Sequence, residues 1–268
     1  MLSEHELAKY KRVGYLYPRC AVSAANAADM KIALDAYIDR FGPAARGKGM
    51  MTKRPHIVLR WVAELARHDA IVDAVEDIIG PDILCWSSAF FTKEAYSKRF
   101  VSWHQDANYW GLSSAKVVSA WVALTPATVS NGCMRFLPGS HHELHTHEDI
   151  VDEVNMLSRG QTMADGVTED TAVDVILEAG EFALFDVNMA HSSRPNGSAE
   201  DRVGVVFRYV AGDVFQTKAD SDSASLIRGR DRAGFFEKEP IPAFDLDPEC
   251  LAFHKRVCGA RDQVYFGG

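Results

Sequence analysis

Apolar residues recur at helical spacing over roughly the first 80 positions and at strand spacing beyond them. Ser3 and Glu6 stand three apart ahead of Leu7 and Tyr10, the spacing of a reciprocal helix N-cap. Over 23–41, Ala24, Met30, Ile32, Leu34, Tyr37 and Ile38 interleave with charges. Ile71, Val72, Val75, Ile78 and Ile79 then recur until Gly80-Pro81 stops the pattern. These runs predict a mainly helical part over 1–80.

From residue 83 the runs shorten and turn residues separate them. Strands are predicted at 83–91, 116–124, 133–137, 173–177, 182–187 and 202–210, from stretches rich in Val, Phe, Trp and Ala. Short strands with Gly, Pro and Asn turns argue for an antiparallel sandwich or barrel: a mostly β fold with flanking α-helices. Residues 141–172 are polar and aperiodic, long for a loop inside a compact domain, and loops of that length tend to carry function. Residues 216–268 read as an irregular covering segment or tail. With no internal repeat or low-complexity linker, the chain is expected to form one domain over 1–268, its core spanning 83–215.

Composition narrows the partners. The chain has 37 acids and 29 bases, a formal charge of −8, so it offers no electrostatic footprint for nucleic acid. No apolar run approaches the 18 residues of a membrane span, and the N-terminus lacks a signal-peptide h-region. Five scattered cysteines with no CxxC pair point to free thiols in a reducing compartment, hence a cytoplasmic protein. The expected partner is a small-molecule substrate, not nucleic acid or membrane; the sequence does not fix an oligomeric state.

The most informative string is Trp103-His104-Gln105-Asp106. Side chains two apart on a strand share a face, so His104 and Asp106 can converge on one point. An imidazole and a carboxylate suit Fe(II), and a second histidine would complete a facial triad with open positions. His191 lies 85 residues beyond Asp106, just after a predicted strand, and Arg202 follows eleven residues later at the start of another. A guanidinium there can grip a carboxylate through two parallel hydrogen bonds. Each residue alone has an ordinary reading, as an incidental pair, a strand-end histidine or a surface ion pair with Asp201 or Glu200. Their joint spacing favours a site.

These residues resemble the phytanoyl-CoA dioxygenase-like branch of the Fe(II)/2-oxoglutarate oxygenases. The resemblance extends from Tyr10-Lys11-Arg12-Val13-Gly14-Tyr15 through Asn131-Gly132-Cys133-Met134, Pro138-Gly139-Ser140-His141 and Ala179-Gly180-Glu181, covering about residues 3–210. It implies a double-stranded β-helix, a cupin-like jelly roll, with Fe(II), 2-oxoglutarate and O2 as cofactor and co-substrates. Matched position by position, His104, Asp106 and His191 would be the metal ligands. Arg202 would bind the far carboxylate of 2-oxoglutarate, with Ser193, Trp121, Lys93 and Gln105 about it. Related halogenases carry Ala or Gly where this chain has Asp106, so hydroxylation is implied over chlorination.

Substrate contacts are expected from Asn108 and Tyr109 after the metal strand, and from Arg135, Arg159 and Gln161. The implied reaction is hydroxylation of an unactivated C–H in a small polar metabolite, an aminophosphonate such as 2-aminoethylphosphonate being one choice and secondary-metabolite tailoring another. A non-catalytic cupin-like binding protein and a zinc hydrolase on the same triad are the other classes. The histidine-rich 141–147 stretch fits no zinc signature and reads as a solvated loop. Neither a phosphate loop nor a Gly-x-Ser-x-Gly elbow occurs.

Overall fold

The computed structural model describes the backbone of residues 1–266 and the side chains of residues 1–259. Helix α1 (Glu4–Val13) opens with the expected reciprocal cap: Ser3 Oγ accepts from the Glu6 amide and Glu6 reaches back to the Ser3 amide. Such a cap is worth about 1 kcal/mol. Strand β1 (Tyr15–Cys20) follows, interrupting the stretch expected to be helical. Only its first two residues are buried, so its apolar run is too short to stand out from the helices around it. Helices α2 (Ala24–Phe41), α3 (Arg60–Leu65) and α4 (Asp69–Ile79) complete the N-terminal part.

The strands then run β2 (Ile83–Lys93), β3 (Val101–His104), β4 (Val117–Ala123), β5 (Met134–Phe136), β6 (His147–Asp149), β7 (Gln161–Met163), β8 (Val173–Val175), β9 (Glu181–Asp186), β10 (His191–Ser193), β11 (Arg202–Ala211), β12 (Asp222–Arg228) and β13 (Phe236–Lys238). A one-turn helix α5 (Ala107–Trp110) lies between β3 and β4, and α6 (Pro248–Phe266) ends the chain. A major sheet has the order β1-β9-β4-β11-β2-β12-β13, and a minor sheet the order β3-β10-β5-β8. Pairing is antiparallel throughout, except between β12 and β13. This is the expected jelly-roll arrangement of two sheets with flanking helices.

Two expectations are corrected. Residues 216–268 are not an irregular tail: β12 pairs with β2 and extends the major sheet, and α6 contributes Cys250 and Val257 to the helical core. What holds the segment is a buried ionic cluster that no local pattern announces. Arg54, in a left-handed conformation at φ 51°, donates to Ser223, to the Trp86 carbonyl and to Glu239. His56 meets the other carboxylate oxygen at 2.8 Å. Burial alone would raise the Glu239 carboxyl, but Arg54 and His56 pull it down to about 2. The 141–172 stretch is likewise not a featureless loop, since β6 and β7 pair within it.

Alternation along β11 divides the core. Val203, Val205, Phe207 and Tyr209 enter the large cluster beneath the helices, while Arg202, Val206 and Arg208 turn to the face opposite the minor sheet. Gly204 lies on that inner face too, with the Trp121 ring across it. A Cβ there would sit 2.1 Å from the ring, so only glycine fits. Among the described residues no helix is long and apolar enough to cross a membrane.

Candidate active site

His104, Asp106 and His191 converge between the two sheets, with one ligand atom from each within 4.8 Å of the others. The local geometry differs from the expectation in one respect. His104 is the last residue of β3, but Asp106 lies beyond the strand, in helical conformation as the N-cap of α5. The carboxylate nevertheless turns back, with Oδ1 3.5 Å from His104 Nε2. His191 pairs directly with His104 across β3 and β10, so sheet register, not sequence proximity, brings the two imidazoles together.

Both histidines are held in the tautomer a metal needs. His104 Nδ1 donates to the Ser102 carbonyl at 3.0 Å and His191 Nδ1 to the Met189 carbonyl at 2.8 Å. A carbonyl only accepts, so each Nδ1 carries the proton and each Nε2 lone pair is left for a ligand bond. Burial, with His104 adjacent, pushes His191 down to about 4, keeping it neutral at physiological pH. Burial works against ionisation of Asp106, but the adjacent His104 and His191 rings and the Arg208 charge hold it below its ordinary range. Two imidazole Nε2 atoms and one carboxylate oxygen form a donor set suited to Fe(II).

Two cavities meet at this triad. The smaller is lined by Arg202, Trp121, Ser193, Phe185, Met134 and Val206. Arg202 is 1% exposed, stands over the Trp121 ring at 5.4 Å and donates to the Gly132 carbonyl at 2.9 Å. The surface ion-pair reading of Arg202 is thereby excluded. Lys93 is its register partner on β2 and is fully buried, with Nζ donating to Ser193 Oγ at 2.6 Å. Burial and the adjacent Arg202 push Lys93 down to about 6. Arg202, Lys93, Ser193 and Trp121 thus gather as the resemblance implied.

Gln105 does not join them. Its side chain points away and staples the 140–147 segment to the metal strand: Nε2 donates to the carbonyls of Glu143 and Asn188, both at 2.7 Å, and Oε1 accepts from the His145 amide at 2.8 Å. Its own amide donates to His147 Nε2 at 2.9 Å. The histidine-rich stretch is therefore no simple solvated loop, because His147 braces the backbone between two of the ligands. Gln105→Leu would leave several buried backbone groups unpaired. We expect it to lower stability by about 2 kcal/mol or more, read as a reduced urea midpoint; an unchanged midpoint would count against the staple.

The expected substrate residues divide. Tyr109, Arg159 and Gln161 line the larger cavity, of about 290 Å³, which also reaches His104 and Asp106. Arg159 stands over the Tyr109 ring at 5.9 Å and pairs with Asp149 at 2.5 Å. Asn108 borders neither cavity and is engaged by the His145 carbonyl and the His147 ring. Arg135 also borders neither. It is 5% exposed, pairs with Glu169 at 2.6 Å and stacks over Trp103 at 5.2 Å, clamping the outer side of the minor sheet. The residues missed were Lys48, Arg99, Trp86 and Arg208, all lining the larger cavity. Arg208 was recoverable, since it stands six positions from Arg202 on one strand and must share its face. Lys48 and Arg99 lie in connecting segments with no period to place them.

Residues 10–204 match the phytanoyl-CoA dioxygenase (PhyH) family. The ectoine dioxygenase of Streptomyces avermitilis is 26% identical over 187 residues, a match covering 65% of this chain and 63% of that protein, a little under two thirds of its length. Among solved structures, the apo form of the non-heme monooxygenase ThoJ superposes with a TM-score of 0.85 at 33% identity, covering 97% of this chain and 96% of that one. A ThoJ–nickel complex gives a TM-score of 0.80 at 31% identity, covering 96% and 97%. CytC3, solved with Fe(II) and α-ketoglutarate, shares the fold at 23% identity, with a TM-score of 0.67 and coverage of 91% and 99%. With a family match over most of its length and a structural relative that retains a third of its residues, this chain belongs to the phytanoyl-CoA dioxygenase family of Fe(II)/2-oxoglutarate-dependent oxygenases.

Proposed function

We propose that the chain is a hydroxylase that couples oxidation of 2-oxoglutarate to oxygen insertion at an unactivated C–H of a small polar metabolite. The observation that carries this reading is the junction of two cavities at one three-residue donor set, the smaller with a buried arginine and the larger of about 290 Å³. His104, Asp106 and His191 would hold the iron. When bound, iron and 2-oxoglutarate supply dioxygen activation, with succinate and CO2 released as co-products. The chain's own part is to orient and to exclude water. Arg202 receives the far carboxylate, Trp121 walls its pocket, and Lys93 with Ser193 adds a proton-bearing pair beside it. Asp106, present where a halogenase has a gap, supports hydroxylation. The five free cysteines are in keeping with a reducing cytoplasm.

An aminophosphonate such as 2-aminoethylphosphonate remains the compound to test first. Lys48, Arg99 and Arg159 on the larger cavity favour its acidic end, whereas Asp106 is the sole carboxylate among the described lining residues that could meet its ammonium. The deciding measurement is succinate release under Fe(II) and O2, with zinc-loaded protein as the control. Succinate with iron alone supports the oxygenase; oxygen-independent hydrolysis with zinc would favour the hydrolase class.

Lys93 supplies a pH signature. Held at about 6, it is mostly unprotonated at neutral pH in the ligand-free chain. A carboxylate arriving at Arg202 restores the preference for the charged form, so binding takes up a proton. Affinity for 2-oxoglutarate is therefore expected to fall as pH rises from about 6 towards the higher pKa of the complex. Calorimetry near neutral pH, in buffers of different ionisation enthalpy, reads this directly, and zero net proton uptake refutes it.

A further inference from the structure

We propose that the substrate carries an oxyanion head group, received between Lys48 and Arg99 at the mouth of the larger cavity while the rest of the molecule reaches the triad. This deepens the oxygenase reading and rests on it for the identity of the occupant as substrate. The chain as a whole is acidic, yet Lys48, Lys53, Arg54, Arg99, Arg159 and Arg208 all line this cavity, against Asp106 as the one carboxylate among its described lining residues. A concentration of one sign in a concave site raises the local concentration of the opposite one.

Most of these cations are already committed. Arg54 is neutralised by Glu239 and Asp222, and Arg159 by Asp149. Arg208 stands over the Trp110 ring at 5.0 Å. Lys48 and Arg99 differ. Among the described residues, neither side chain lies within ion-pair distance of a carboxylate. They are nonetheless close enough that burial and the Arg99 charge both lower the Lys48 ammonium, with Asp152 opposing. The guanidinium lies against Gly47, where an added Cβ would sit 2.6 Å from both of its terminal nitrogens. Gly47 at φ 57° thus lets the arginine lie flat along the backbone beside Lys48. Two adjacent cations with no carboxylate in ion-pair contact among the described residues cost energy through mutual repulsion, and an anion bound between them relieves it. Met156 and Leu157, on the segment whose backbone pairs with Phe100 beside Arg99, and the aromatics Trp86, Phe91 and Trp110 also line the cavity and suit a short apolar or weakly polar body behind the head group.

The test is calorimetric titration of the full chain, loaded with redox-inert Ni(II) and saturating 2-oxoglutarate so that Arg202 is occupied. Methylphosphonate is the probe, with acetate and the neutral dimethyl ester of methylphosphonate alongside. Saturable binding of methylphosphonate is expected, weaker binding of acetate, and none of the ester. Arg99→Ala and Lys48→Ala should each weaken methylphosphonate by about 10-fold or more, and Arg99→Lys less. Lys116→Ala, which removes an exposed cation outside the cavity, should bind as the native chain does. Both altered side chains are at least partly exposed, so folding should be retained, as unchanged melting temperatures would verify. Absence of saturable binding to the native chain, or native affinity in both alanine variants, overturns the proposal. The oxygenase reading is tested separately, by the charge-transfer absorbance of anaerobic Fe(II) with 2-oxoglutarate. If that band is absent while the variants still lose methylphosphonate, the clamp stands and the oxygenase reading falls.

Discussion

Asp106→Ala is expected to lower succinate release by more than about 100-fold, exceeding the 10–100-fold typical of losing an outer-shell partner of a metal ligand, and to lower the iron retained per chain. The carboxylate is the only anionic donor in the triad, and burial holds the His191 imidazole neutral. Without Asp106 the site loses its charge as well as one of its three attachments. The folded chain should survive, because the histidine tautomers are fixed by main-chain carbonyls that do not depend on Asp106. The measurements are iron content after gel filtration and succinate formed per chain. Native levels of both in the variant would remove Asp106 from the metal site. His104→Ala and His191→Ala are expected to give the same loss.

The second large effect is at Arg202. Arg202→Leu should raise the KM for 2-oxoglutarate by roughly two orders of magnitude or more, the scale of breaking a buried charge pair at about 3–5 kcal/mol. The stability of the ligand-free chain should move in the other direction or not at all. In that state the guanidinium is 1% exposed, burial pushes it down to about 10, and its Nε finds no acceptor among the described residues. An uncompensated buried cation is a cost that the shorter, neutral leucine does not carry. The native chain should therefore gain melting temperature on adding 2-oxoglutarate, and the variant should not. An unchanged KM, or an equal ligand-induced shift in both proteins, would falsify the assignment of Arg202.

Much of this was legible in the sequence, for a local reason. Strand alternation and helix periodicity depend on side chains a few positions apart, so β2, β4, β9 and β11, the cap at Ser3 and the helix ending at Gly80 follow from the chain's own pattern. The ligand residues were legible too, as a set of residue types at compatible spacings. The resemblance also grouped Lys93, Ser193 and Trp121 with Arg202, and the register of β2 against β11 brings Lys93 beside Arg202.

Direction was not legible, because which way a side chain turns is decided by partners far away in sequence. Gln105 stands between two ligands yet turns outward to carbonyls at 143 and 188. Arg135 is taken by Glu169 and Asn108 by the His145–His147 segment, so neither is free for a substrate. The C-terminal segment looked irregular because its cohesion lies in the buried contact of Glu239 with Arg54 and His56, more than 180 residues apart. The sequence by itself determined the helices α1, α2 and α4, the strands β2, β4, β9 and β11, the candidate metal-binding set and the family. Only the tertiary structure decided that Asp106 joins His104 and His191 from beyond the strand, and that Lys48 and Arg99 face a common cavity. Those outcomes depend on register and long-range charge pairing, which no local pattern encodes.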